Sequence, residues 1–145
     1  MKIIIFTCFI FTGIAFSAVD IFFAGLTAVQ KGDYKKGLKL LEMSCKKDNI
    51  SACELSGGLL SDSPSKKEKE SQTYKMLRKS VPINNKKAIQ YFTKACNSPD
   101  ASVYQSCIEV ADFYLKNNNI NKAKEFYQKG CNKDYKYACN KLKEI

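Results

Sequence analysis

The chain has 145 residues, 45% of them hydrophobic, and a formal net charge of +10 from 24 basic and 14 acidic side chains. That length holds one domain with a modest core or a short array of repeats. There is no histidine, which excludes Ser-His-Asp and Cys-His catalysis. Every basic residue except Arg78 is lysine, so the guanidinium forks usual in nucleic-acid binders are missing and no nucleic-acid partner is expected.

The chain opens with Met1 and Lys2, runs apolar over 3–16, and reaches the small-residue triplet Ala15-Phe16-Ser17. This reads as a secretory signal peptide over 1–17, with the mature chain starting at Ala18 or Val19. The apolar run falls short of the roughly 20 residues that span a bilayer, so no stable membrane anchor is expected. A secreted or periplasmic location follows. Of the seven cysteines, Cys8 lies inside the signal. Cys45, Cys53, Cys96, Cys107, Cys131 and Cys139 enter a compartment where disulfides form.

Beyond Asp20, the residues Ile21, Phe22, Gly25, Ala28 and Val29 recur at three- and four-residue steps, as on one buried helical face. Gly32 and Asp33 interrupt the pattern, and Asp33 can cap a second helix from Tyr34 to about Lys46. Leu38, Leu40, Leu41 and Ser44 form its inner side.

That second helix is the first of three copies. Twelve positions before Cys45, Cys96 and Cys131 stand the N-cap formers Asp33, Asn84 and Asn119, and eight before stand Gly37, Ala88 and Ala123. Five and four before stand the large pairs Leu40-Leu41, Tyr91-Phe92 and Phe126-Tyr127. Small residues let helices approach and the large pairs fill the gap, so these aromatics read as packing residues. Each copy continues through a polar turn and a second cysteine into an apolar helical segment, over 52–60, 103–115 and 135–145. Cys96 and Cys131 are 35 residues apart, whereas Cys45 and Cys96 are 51 apart. The surplus falls in a polar insertion of about 61–82, expected to be exposed with room for one short helix.

Cys45 and Cys53 are eight residues apart, as are Cys131 and Cys139, and Cys96 and Cys107 are eleven apart. Eight residues of continuous helix cover roughly 12 Å, whereas a disulfide needs Cα atoms within about 7 Å. Bridging neighbours therefore requires the chain to reverse between them, and the intervening segments begin with turn-forming Lys, Asn, Asp, Ser and Pro. Neighbour pairing is the expectation, although six cysteines admit other pairings too. Metal binding favours close C-x-x-C pairs with histidine. No metal and no cofactor is expected.

With NNKKAIQYFTKAC at 84–96, NINKAKEFYQKGC at 119–131 and CIEVADFY at 107–114, the chain resembles the Sel-one-like repeat proteins, relatives of the tetratricopeptide repeat. Within that group it is most similar to the secreted Helicobacter cysteine-rich protein family. The resemblance implies an all-α fold over 18–145, an α/α solenoid of helical hairpins clipped by disulfides. A protein or peptide ligand on the concave face of such an array is the main functional expectation. The resemblance also implies an alternative, binding or hydrolysis of β-lactams or of related cell-wall molecules. Three departures stand out: Ser56 where the family has leucine, the insertion, and the longer loop between Cys96 and Cys107. The residues themselves say little about hydrolysis. Two S-x-x-K matches occur, Ser44 to Lys47 and Ser63 to Lys66, but the serine and lysine content alone supplies about two by chance. The S-D-N and K-T-G companions of serine β-lactamases are absent, and no catalytic residue can be named.

Overall fold

Short polar side chains start most of the helices. In the computed structural model, which describes residues 16–63 and 66–145, Asp33, Asn49, Asn84 and Asn119 each accept the backbone N–H three residues on. Each thereby satisfies one of the donors that a helix start leaves unpaired. They open α2 (Tyr34–Lys46), α3 (Ile50–Leu60), α6 (Asn85–Cys96) and α8 (Ile120–Cys131). The other helices are α1 (Ala18–Gln30), α4 (Lys66–Glu70), α5 (Gln72–Ser80), α7 (Tyr104–Lys116) and α9 (Lys136–Glu144). Among the described residues there is no strand. The expected signal segment lies outside the described residues except for Phe16 and Ser17. Ser17 caps α1 and exchanges hydrogen bonds with Asp20.

The reversals use residues that tolerate left-handed backbone. Gly32 (φ 79°) turns α1 into α2, Asp48 (φ 65°) turns α2 into α3, and Asn118 and Asp134 do the same around α8. The longer connection from α6 to α7 carries Pro99 and a single 3-10 turn, Ala101–Val103.

The helices form an α/α solenoid, and the repeat unit differs from the one the cysteines delineate. The most extensive packing joins α1 to α2, α3 to α6, and α7 to α8. The disulfides lie at the lesser contacts between these pairs. Cys45–Cys53 ties α2 to α3, Cys96–Cys107 ties α6 to α7, and Cys131–Cys139 ties α8 to α9, with Cα separations of 4.7, 4.8 and 4.7 Å. The first two bridges thus staple one helix pair to the next, the third ties α9 to the last pair, and the insertion falls inside the second pair.

The matched columns explain the packing. Gly37, Ala88 and Ala123 are buried, and a β-carbon on Gly37 would stand 2.5 Å from Val29 Cγ2. Leu41, Phe92, Phe126 and Tyr127 fill the core, while Tyr91 is half-buried. Ser56 is fully buried and donates its hydroxyl to the Ala52 carbonyl at 2.7 Å, so serine is satisfied within its own helix. A further column reaches across repeats. Lys94, two before its cysteine, donates to the Cys45 carbonyl and pairs with Asp48, both at 2.8 Å. Lys129, in the same position of the next copy, donates to Asn97 at 2.9 Å. The first copy has Met43 there, 42% exposed, with no preceding repeat turn to hold.

The insertion holds two short helices, α4 and α5, where one was expected, and it is docked. The Arg78 guanidinium donates to the Leu59 carbonyl at 2.9 Å and the Ser61 carbonyl at 2.6 Å, and stacks 4.9 Å over the Tyr74 ring. The lone arginine is used for its fork, which reaches two carbonyls at once.

Candidate functional site

The first helices of the three pairs, α1, α3 and α7, share one face of the array. On α3, Cys53, Ser56, Gly57 and Leu60 turn inward, which leaves Glu54, Leu55 and Gly58 on the opposite side. On α7, Cys107, Val110 and Ala111 turn inward, Gln105 and Glu109 line the gap toward α3, and Asp112 lines the cleft at the insertion. Between the two helices lies an open groove of about 560 Å³ with Phe92 in its floor and Glu54, Leu55, Gly58 and Glu109 along its walls. It continues one way into a cleft of about 370 Å³ at the insertion, lined by Asp62, Lys69 and Asp112. The other way, Leu55 and Gly58 pass into an apolar cleft of about 160 Å³ with Leu26, Val29, Leu41 and Leu59.

Two carboxylates of the groove, Glu54 and Glu109, accept from neutral donors. Glu54 accepts the Ser106 hydroxyl at 2.9 Å, which spans α3 to α7. Glu109 accepts the Ser63 hydroxyl at 2.6 Å and the Gln105 amide at 3.3 Å. Among the described residues neither glutamate forms an ion pair. Asp62, at the far end, takes Lys69 at 2.9 Å and the Tyr74 hydroxyl at 2.9 Å. The hydrogen bond from Lys69, with that from Tyr74 second, holds the Asp62 carboxyl below the usual range.

Beneath the groove, Tyr127 is fully buried and donates its hydroxyl to Asp112. Burial, reinforced by the Asp112 bond, pushes its phenol well above the ordinary value. On α6, burial and then the Glu42 carboxylate push Tyr91 up to about 12. An unfolded tyrosine ionises near pH 10, so stability is full below about pH 10 and falls as the pH rises through the folded-state values. In an alkaline titration two of the eight tyrosines are expected to ionise only as helix is lost. Full tyrosinate absorbance with the helix signal intact would contradict this.

The six paired cysteines are spent on structure. Ser44 is fully buried and gives its hydroxyl to the Ala18 carbonyl at 2.5 Å, so the 44–47 match offers no accessible nucleophile. Ser63 does reach the groove, but the side chain of Lys66 lies outside the described residues. Among the described residues no group of His, Cys, Asp or Glu is placed to hold a metal ion, and no described helix is long and apolar enough to cross a membrane. Glu54 and Glu109 escaped the sequence reading, although one signal was present. Helices α1, α3 and α7 carry the acids Asp20, Glu54, Glu109 and Asp112 and the single lysine Lys116. Helices α2, α6 and α8 carry ten lysines, against Glu42 and Glu125.

Comparison with known families finds two related repeat types. The Sel1 repeat profile matches residues 15–49 and 75–100, and the tetratricopeptide repeat profile matches 104–132. The matches over α1–α2 and α7–α8 follow the tightly packed helix pairs, not the disulfides. The match at 75–100 reads α6 with α5, whereas the structure packs α6 on α3. No curated protein matches the chain.

Proposed function

We propose that this Sel1-like, tetratricopeptide-related repeat protein is an exported module that binds a segment of another polypeptide on its α1–α3–α7 face. Repeats of these two types mediate protein–protein interaction by presenting one face of a stacked helical array. The observation that carries the reading is the groove between α3 and α7, wide enough for side chains and continuous with the clefts on either side.

Export is supported by the signal-like segment 1–17 and by three disulfides, which persist in oxidising compartments. The cysteine spacing supports placing the chain beside the secreted Helicobacter cysteine-rich repeat proteins. Protein recovered from periplasm or medium is expected to begin at Ala18 or Val19. Cytoplasmic protein that begins at Met1 and has free thiols would contradict export.

The binding reading is tested with residues 18–145, disulfides intact, as bait against envelope and culture-medium extracts. Specific partners should be recovered and then lost when the bait is reduced. An intact bait that recovers none removes the module reading. Nitrocefin turnover by the intact chain above a reduced control would replace it with an enzymatic one.

A further inference from the structure

Gly58 is the glycine that packing does not explain. The helical glycines Gly25, Gly37, Gly57 and Gly130 would each put a β-carbon 3.0 Å or less from a neighbouring residue, so close approach requires them. A β-carbon on Gly58 would meet nothing within 4 Å. Glycine inside a helix costs roughly 1 kcal/mol relative to alanine, and nothing in the fold offsets that cost here. What the missing side chain does is keep a gap in the wall where the α3–α7 groove meets the apolar cleft beside α1.

A second, independent feature is the charge of this face. In a chain of 24 basic and 14 acidic residues, lysines are available to pair with any carboxylate. Glu54 and Glu109 nevertheless accept from hydroxyls and an amide, as described above, and within the three helix pairs every lysine but Lys116 lies on α2, α6 and α8. Next to the two glutamates, Leu55 is 38% exposed. The face therefore offers, in order along it, an aliphatic cleft, an open slot at Gly58, and the carboxylates of Glu54 and Glu109, which form no ion pair among the described residues.

We propose that this face takes an extended polypeptide segment of aliphatic and cationic character. One aliphatic side chain enters at Gly58, and a neighbouring lysine or arginine reaches Glu54 and Glu109. The assignment rests on the module reading and adds the chemistry of the partner. Charge complementarity selects a basic segment over an acidic one, and it sets this face apart from the lysine-rich helices, which suit anionic surfaces. Two carboxylates already hydrogen-bonded to serine hydroxyls are held in place for such a cation, so less ordering is required on binding.

The probe is a short labelled peptide that alternates leucine and lysine, followed by fluorescence anisotropy on the disulfide-intact chain. A leucine–glutamate peptide of equal length is the control. Saturable binding of the lysine peptide, weakened by salt, is expected, with the glutamate peptide binding roughly tenfold or more weaker. Glu54→Gln with Glu109→Gln should weaken the lysine peptide by a similar factor. Gly58→Leu should fill the slot and abolish binding while Tm stays level or rises, because leucine is the better helix former. Equal binding of the two peptides, no saturable binding of the lysine peptide, or binding unchanged in both variants would each overturn the assignment. If those variants still recover the partners that the unaltered bait recovers from extracts, the module reading stands and the assignment of this groove falls.

Discussion

Reduction of the three disulfides is expected to lower Tm by at least about 20 °C and to remove most of the helical circular dichroism at physiological temperature. Closing loops of 8 and 11 residues restricts the unfolded chain by about 2.5 kcal/mol per bridge on the loop-entropy relation, or about 8 kcal/mol together. Ordinary domains have about 5 to 15 kcal/mol in all. The bridges join helices whose mutual packing is less extensive than that within the pairs, so these junctions depend on them more than the pairs do. A linear array responds according to position. Cys131–Cys139 holds only α9, whose one buried side chain is Ala138, and replacing both cysteines with alanine should fray that helix alone. Cys96–Cys107 joins the α3–α6 pair to the α7–α8 pair, and its double alanine variant should lose cooperativity across the whole chain. Thermal melts of the two variants, with amide exchange to locate the opening, check this order. A reduced chain that melts where the oxidised one does would show the helix contacts to be sufficient alone.

The helix starts and the core were legible because both leave local marks. Asp33, Asn84 and Asn119 sit at a fixed distance from a cysteine, and the structure uses all three as caps. Small and large columns also repeat with the helix, which is what a buried face requires. The cysteines, the most conspicuous periodic residues, mark the reversals between consecutive helices, but they do not record which neighbours pack most extensively. Helix α3 finds its main partner, α6, across the insertion, and no local pattern records that choice. Arg78 was noted as the lone arginine, yet its role depends on carbonyls of Leu59 and Ser61 that the fold brings to it. The groove was invisible for the same reason. Glu54 meets Ser106 across 52 positions and Ser63 meets Glu109 across 46, and periodicity reports which side of a helix is buried, not which helices face each other over a gap. The layered charge, acidic on one set of helices and lysine-rich on the other, was the one trace of it in the sequence.

Phe92→Ala is expected to cost about 3 to 5 kcal/mol, the range for deleting a buried phenylalanine ring. The ring is 5% exposed, lies where α3 meets α6, and forms the floor of the groove and of the cleft at the insertion. Its edge also fixes Gly57, since a β-carbon there would stand 2.7 Å from Cε1 and 2.8 Å from Cδ1 of the ring. A buried ring packed between two helices has no room to give by that much. Gly57→Ala alone should therefore destabilise the chain by about 1 to 2 kcal/mol, with overpacking exceeding the helix-propensity gain of about 1 kcal/mol. In the Phe92→Ala background the obstruction is gone. The same substitution should then stabilise, because the added methyl group keeps its propensity advantage and fills part of the cavity. Denaturant titrations of the two single variants and the double variant measure this coupling. A Gly57→Ala effect of the same sign and size in both backgrounds would mean that the ring does not dictate glycine at this position.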